Sequence, residues 1–538
     1  MNIPDPIMDG LSKGWNVINA AEQNGALELE ADVVICGTGA GGGMAAEILS
    51  QAGLSVVLLE EGGLHSSSDF KLDEARAYAE LYQQGAGRTT ADGAVAILQG
   101  RTVGGSTTVN WTSSFRTPEP TLSHWAEHHG LKEFTPEAMK PWFERVEQRL
   151  SIHAWPGTPN VNNTVLQQGC SRLGWTWAPI PRNVQGCWNL GYCGMGCPTN
   201  AKQSMLVTTI PGSLEAGATL VHHCRAEKLS VRGDQVEALQ AVAIGDDRQV
   251  KPLTRIRIQA RHYVVSCGAI GSPALLLRSQ APDPWKTLGK RTFLHPSCLS
   301  MAEMPQQVEP FYGAPQTIYS DHFQWLHGAT GALGYKLEVT PMHPIFTALF
   351  AGGHGESHRQ YMERLPHLQT VVALMRDGFH EESQGGQVSL SESGAPILDY
   401  AFNDYLWRGI RRALLSMVEL QFAAGATSVQ PCHQASERYR SWVQARSGIQ
   451  SLPMEAHKVL LGSAHVMGGC AMGEDPKSSV VNAHGRHHQL NNVSVFDGSE
   501  FPTSIGANPQ ESIYAMVCRQ ADTLARQLTA RTSEGVNS

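Results

Sequence analysis

The chain lacks any run of roughly eighteen apolar residues, so no membrane-spanning helix is expected. It lacks a basic surplus: 41 Lys and Arg against 49 Asp and Glu leave a net charge of −8, which argues against a nucleic-acid-binding surface. Its first twenty residues, MNIPDPIMDGLSKGWNVINA, lack the basic stretch followed by an apolar stretch that marks a secretory signal. Cytoplasmic residence is therefore the expectation, with export alongside a partner left open. No internal repeat and no low-complexity tail occurs. Cysteines number eleven, an odd count, and several lie in apolar segments such as VVICG and VVSCG, which reads as reduced thiols rather than a disulfide framework. What is present is an ordinary globular composition, 41% hydrophobic and 17% charged with 54 glycines, in 538 residues, enough for two intimately connected domains.

The most informative local pattern begins at Ala31. ADVVIC reads as a buried strand, a glycine-rich turn follows, MAAEILSQAG reads as a helix, and SVVLLEEGG as a second strand. The turn 37-GTGAGG-42 fits G-x-G-x-x-G, with Gly37 for the tight turn, Gly39 for close approach of a pyrophosphate and Gly42 for helix packing. The helix start adds free N–H groups and the positive end of a dipole. Glu60 closes the second strand, where an acid hydrogen-bonds an adenosine ribose and disfavours a 2′-phosphate. A dinucleotide is expected; these residues alone do not separate NAD from FAD. Further on, 219–265 reads as a strand-rich excursion, GGQVSLS as a strand and YLWRGIRRALLSMVELQFAAG as a long helix.

Four ordered segments carry a resemblance: the β-α-β unit, 100-GRTVGGSTTVNWTSSFRTP-118, 265-VSCGAIGSPALLL-277, and 465-HVMGGCAMG-473 continuing through 493-VSVFDGSEFPTSIGANPQESIYAMVCRQAD-522. Together they resemble the glucose–methanol–choline (GMC) oxidoreductases, and STTVNW, SFRTP and AKQS most resemble the long-chain alcohol oxidase branch. The resemblance implies an α/β fold: a Rossmann-like FAD-binding domain from discontinuous segments (31–120, 201–296 and 456–538, after a lead-in at 1–30). A substrate domain of α+β type with an antiparallel sheet (121–200 and 297–455) would complete it, and the substrate pocket is expected from roughly 120–200 and 297–455. It implies FAD as cofactor and oxidation of an alcohol, primary and nonpolar by branch, to the aldehyde. Carried over by position, Gly104, Gly105 and Ser106 wrap the flavin and Asn110 approaches the isoalloxazine. Asp497 and Gly498 touch the ribityl–pyrophosphate part, and Pro509 opens the helix facing the pyrimidine end. His465 falls at the proton-accepting position and Asn508 at its partner position. Histidine suits the base role because its unperturbed pKa lies close to neutrality. His295, His484, His487 and His488 lack motif context and read as structural or solvated. No histidine lies between Gly100 and Pro118, so the FAD is expected to be noncovalent.

Cys187, Cys193 and Cys197, spaced C-x5-C-x3-C before Pro198, resemble the cluster loop of flavin-dependent glucose and fructose dehydrogenase subunits, which implies three ligands for a 3Fe-4S cluster. Free buried thiols, zinc or a disulfide remain open beside it. With the cluster goes the alternative of a sugar or polyol dehydrogenase passing electrons to a cytochrome; oxygen and quinone are the other acceptors, and a non-redox lyase or photodecarboxylase is a further alternative.

Overall fold

A computed structural model describes residues 3–245, 247–351 and 353–535. Its first sheet has eight strands. The parallel part runs Val17–Asn19, Thr219–His222, Val56–Leu59, Leu27–Cys36 and Val250–Val265, with Val493–Val495 also parallel to Val250–Val265. Gln235–Ile244 and Cys224–Arg232 extend it antiparallel. Leu27–Cys36 shows why such a strand forms: its outer half alternates in exposure, whereas Val33–Cys36 is covered on both faces and wholly apolar. The strand begins four residues before the expected Ala31. The edge strand Val17–Asn19 lies in the segment 1–30 expected as a lead-in, which also holds the α-helix Pro6–Ser12 and a 3-10 turn at Ala20–Glu22. Three residues carry too short a pattern to announce a strand; the open edge of Thr219–His222 recruits them.

The expected helix after the glycine turn is Ala40–Gln51. Gly41 through Ser50 are all buried, because the helices Gln510–Gly535 and Thr209–Glu215 pack against it. The second layer is an antiparallel sheet in the order Tyr335–Glu338, Leu368–Met375, Ser297–Glu303, Leu461–Ser463, Val95–Ile97, with Ser428–Pro431 also on Ser297–Glu303; only Leu461–Ser463 with Val95–Ile97 is parallel. The long helix is Asp404–Ala423, capped by the Asn403 side chain, which accepts from the Leu406 N–H. Its stripe Leu406, Ile410, Ala413, Leu414, Met417 and Leu420 is buried on this sheet, each Leu or Ile contributing about 1.5–3 kcal/mol. Gly386–Leu390 is the predicted GGQVSLS strand, on a separate four-stranded sheet. The architecture is thus α/β, a Rossmann-like sheet beside an antiparallel one. No helix among the described residues is long and apolar enough to cross a membrane.

Candidate active site

One cavity of about 1550 Å³ lies between the two sheets, larger than the usual small-molecule pocket of about 300–1,000 Å³. At one end it is walled by two glycine loops. Gly37 has φ +102°, and a side chain there would meet the Ser266 carbonyl at 2.2 Å; at Gly42 it would meet the Gly37 carbonyl at 1.9 Å. Both glycines are demanded by the protein's own packing. So is Gly41, which the motif reading passed over: its Cβ would fall 1.7 Å from the Phe496 carbonyl. Gly39 is different. A Cβ there meets nothing closer than the Gly105 Cα at 3.9 Å, so packing alone does not require glycine. Gly105, at φ +54°, comes from the second loop to face it, and Gly104 stands behind, against Thr108 and Leu206. Ser106 Oγ accepts from the Gly100 N–H at 2.9 Å and closes that loop.

Glu60 is buried; its carboxylate accepts from Thr38 Oγ1 at 2.7 Å, the Thr38 N–H at 3.2 Å and the Gly62 N–H at 2.9 Å. Burial, outweighing these bonds, pushes its pKa up. Asp497 accepts from Ser272 Oγ at 2.5 Å, the Gly268 N–H at 2.8 Å and the Ser499 N–H at 2.8 Å, and its pKa too is raised by burial. Gly498 and Pro509 line the wall nearby. Asn110 reaches the same wall and donates to Gln510 Oε1 at 2.6 Å, which joins the second glycine loop to the start of helix Gln510–Gly535. Gln510 also donates to the Ser113 carbonyl, Ser114 Oγ and Asn183 Oδ1. These features form a cradle for an elongated anionic ligand: approachable backbone at Gly39 and Gly105, a helix start, and an acid at each end.

The other end carries the predicted catalytic pair. His465 follows strand Leu461–Ser463, and His295 precedes the paired strand Ser297–Glu303. Ser463 Oγ donates to the Leu294 carbonyl and accepts from the His465 N–H, binding the two turns together. The Asp377 carboxylate accepts the Leu294 and His295 N–H groups at 3.0 and 3.1 Å, holding His295 at φ +49°, a costly conformation for a residue other than glycine. The outcome is a contact of 3.1 Å between the Nδ1 atoms of His295 and His465. One must donate and the other accept, so their tautomers are linked. Burial lowers the His465 pKa to about 4; Glu338 opposes the shift and Lys336 adds to it. Asn508, on the same cavity wall, accepts from Lys336 Nζ at 3.1 Å through Oδ1 and donates to Glu338 Oε2 at 3.2 Å through Nδ2.

Of the structural or solvated roles expected for His295, the structure shows it buried, 1% exposed, with its ring against the candidate base. No local pattern distinguishes it, since its partner lies 170 residues away. Lys336 and Glu338 were also missed, although opposite charges at i and i+2 in the apolar strand YKLE fall on one face and were a legible clue. The pocket differs from expectation as well. Leu299, Phe346, Leu349, Phe350, Val372 and Leu374, all within 297–455, form an apolar wall. Among the described residues none from 120–200 lines the cavity; Tyr78–Arg101 takes that place. The helices Glu119–His128 and Pro136–Arg149 instead cover the C-terminal region from outside, with Trp125 Nε1 donating to Thr503 Oγ1 and Pro136–Arg149 packed on Gln510–Gly535.

The cysteine loop packs beside this site. Lys202 Nζ donates to the carbonyls of Thr108, Asn110 and Cys193, and the Tyr82 hydroxyl donates to the Gly194 carbonyl at 2.8 Å. The three sulfurs have separate partners: Cys187 accepts from the Asn189 N–H, Cys193 from Arg182 at 3.8 Å, and Cys197 pairs with the Thr199 hydroxyl. All are free, and among the described residues no three His, Cys, Asp or Glu side chains are gathered to hold a metal. The expectation of cluster ligands at Cys187, Cys193 and Cys197 finds no gathered ligand set; each sulfur is drawn instead to its own neighbour.

Residues 78–297 match the N-terminal and residues 382–516 the C-terminal model of the GMC oxidoreductases. The chain is 27% identical to long-chain-alcohol oxidase FAO4A of Arabidopsis thaliana over 513 residues, 91% of this chain and 68% of the relative. It is 31% identical to an uncharacterized GMC-type oxidoreductase of Mycobacterium tuberculosis over 507 residues, 93% of this chain and 77% of that one. The crystal structure of pyridoxine 4-oxidase from Mesorbium loti superposes with a TM-score of 0.65 at 19% identity, covering 92% of this chain and 98% of that one, which speaks to the fold. With both family regions matched in order and this cavity between the two sheets, the chain belongs to the GMC oxidoreductase family.

Proposed function

We propose that the protein oxidises a primary, nonpolar alcohol to the aldehyde with noncovalently bound FAD, His465 taking the hydroxyl proton and Asn508 positioning the hydroxyl. The observation that carries the reading is the placement of His465 and Asn508 on the wall of the same cavity that the two glycine loops enclose. The cradle fits FAD: Gly39 and Gly105 leave backbone bare for a pyrophosphate, Glu60 stands at the ribose position and Pro509 opens the helix start. When bound, FAD supplies the hydride acceptor. The chain's own groups do the rest. A pKa held near 4 keeps the His465 imidazole neutral at pH 7, able to accept a proton. In this reading His465 donates Nδ1–H to His295 and keeps Nε2 bare. Asn508 fixes the hydroxyl oxygen, and the apolar wall from Leu299 to Leu374 excludes water and receives the alcohol's hydrocarbon part. That wall and the likeness to long-chain-alcohol oxidases support a nonpolar substrate and oxygen as acceptor. The separate cysteine partners give no support to a cluster-wired sugar dehydrogenase.

Anaerobic addition of primary alcohols to the FAD-loaded protein is expected to bleach the visible flavin band. Release of a carbonyl compound or carbon dioxide without bleaching would point instead to lyase or decarboxylase chemistry and overturn the proposal.

A further inference from the structure

Lys336 and Glu338 stand where the fold does not call for charge. Both are on the edge strand Tyr335–Glu338, with side chains 3% and 0% exposed, and Lys336 Nζ lies 2.9 Å from Glu338 Oε1. The ammonium sits 3.0 Å from the Phe115 ring centroid and 4.6 Å from that of Tyr319, an aromatic slot. Buried ion pairs of this kind are often no more stabilising than apolar residues of the same size. Here the pair has a further partner, since both members bond Asn508, one to each end of its carboxamide.

That geometry settles the orientation of the amide. An ammonium only donates and a carboxylate only accepts, so Oδ1 must face Lys336 and Nδ2 must face Glu338; a flipped amide would oppose donor to donor and acceptor to acceptor. The second Nδ2 hydrogen makes no other hydrogen bond to the protein among the described residues. The same two charges also act on His465, in opposite directions.

We propose that Lys336, with Glu338 as its counter-charge, is a positioning residue that locks Asn508 in one orientation, with an Nδ2–H for the substrate hydroxyl, and balances the field at His465. The inference rests on the reading of His465 and Asn508 as the alcohol-activating pair. Removing the cation alone frees the amide to turn and leaves Glu338 unbalanced beside His465, which raises the affinity of the imidazole for a proton. Removing both charges restores the balance at His465 and leaves the amide without its clamp. The charged groups facing Lys336 are Glu338 and Asp321, and His465 and His295 lie close enough to feel it. Burial lowers the Lys336 pKa to about 8, so its charge is present below that pH and lost above it.

The test uses the FAD-loaded protein with benzyl alcohol as probe, following anaerobic flavin reduction across pH, with FAD content and thermal unfolding as checks on folding. Lys336→Met is expected to slow reduction about a hundredfold, comparable to losing one preorganised donor. Its acid limb should move to higher pH. Lys336→Arg, which keeps the charge, should return the limb toward the original position. Lys336→Met combined with Glu338→Leu should fold well and stay slow, with the acid limb back near its original place. A Lys336→Met protein with unchanged rate and unchanged pH limb, when the separate His465→Ala variant slows reduction about 10³-fold, overturns the inference. If His465→Ala also reduces at the normal rate, the underlying assignment fails instead. Where Lys336→Met does not fold, the double variant decides, and a normal rate there overturns the inference.

Discussion

The two ends of the cavity are built on opposite plans. The glycine end is made of contiguous sequence: Gly37, Gly39, Gly41 and Gly42 lie within six residues, and three of the four are dictated by backbone contacts of 2.2 Å or less that a Cβ would create. The catalytic end is made of scattered side chains: His295, Lys336, Glu338, His465 and Asn508 come from four separate segments joined by side-chain hydrogen bonds. Close backbone packing asks one thing of this short run, the absence of a side chain, even where the opposing backbone is as distant in the chain as Ser266 or Phe496. A buried polar network needs only that complementary groups arrive, from wherever the fold brings them.

The largest effect expected from breaking the second plan is at His465. His465→Ala should lower anaerobic flavin reduction by about 10³-fold with FAD content unchanged; a normal rate would remove the residue from the chemistry. The first plan breaks hardest at Gly41. Gly41→Ala drives a Cβ into the Phe496 carbonyl and should cost about 3 kcal/mol of stability, read by denaturant unfolding. Gly39→Ala sharpens the contrast. Nothing in the protein crowds that Cβ, so the cofactor-free fold should lose less than about 1 kcal/mol, while FAD retention should weaken by about tenfold, or 1.4 kcal/mol. Equal effects at Gly39 and Gly41 would erase the distinction between packing glycine and ligand glycine.

Acidity probes the catalytic end more gently. His465 is neutral above about pH 4, so reduction should be level near neutrality and fall as pH drops through about 4, not near 6.5. Stability follows the same sign. The unfolded imidazole binds its proton near pH 6.5 and the folded one near 4, so His465 contributes stability at neutral pH that is lost as pH falls across that window. An acid limb close to 6.5 would show that burial does not hold the imidazole neutral. The smallest effect is at the cysteine loop: Cys193→Ser should leave the visible spectrum, iron content and reduction rate unchanged. Loss of colour and iron would restore the cluster.

Much of the glycine end was legible before folding. The strand–turn–helix around GTGAGG and the acid at Glu60 were readable from the residues, while Asp497, Asn110 and Pro509 came through motif resemblance, and all three line the one cavity. His465 and Asn508 were reached through motif resemblance rather than through any property of the residues themselves. His295 was not, because its role depends on a 3.1 Å meeting across 170 residues and on Asp377 holding an unfavourable backbone angle. The pocket wall was half legible: an apolar stretch reads the same whether it faces a core or a cavity, and only the docking of 119–149 outside the C-terminal helix shows which segments were left to line it.

By itself the amino-acid sequence determined what depends on neighbours along the chain: the glycine-rich turn, the parallel strands it joins, and Gly42, whose Cβ would meet the Gly37 carbonyl of the same turn. Tertiary structure decided which distant polar groups meet. It set His295 against His465, stretched Asn508 between Lys336 and Glu338, and gave three closely spaced cysteines three separate partners. The physical reason is reach. Local backbone conformation is set over a few residues, whereas close packing, hydrogen bonds and buried charges act over a few ångströms, and only the fold turns one kind of distance into the other.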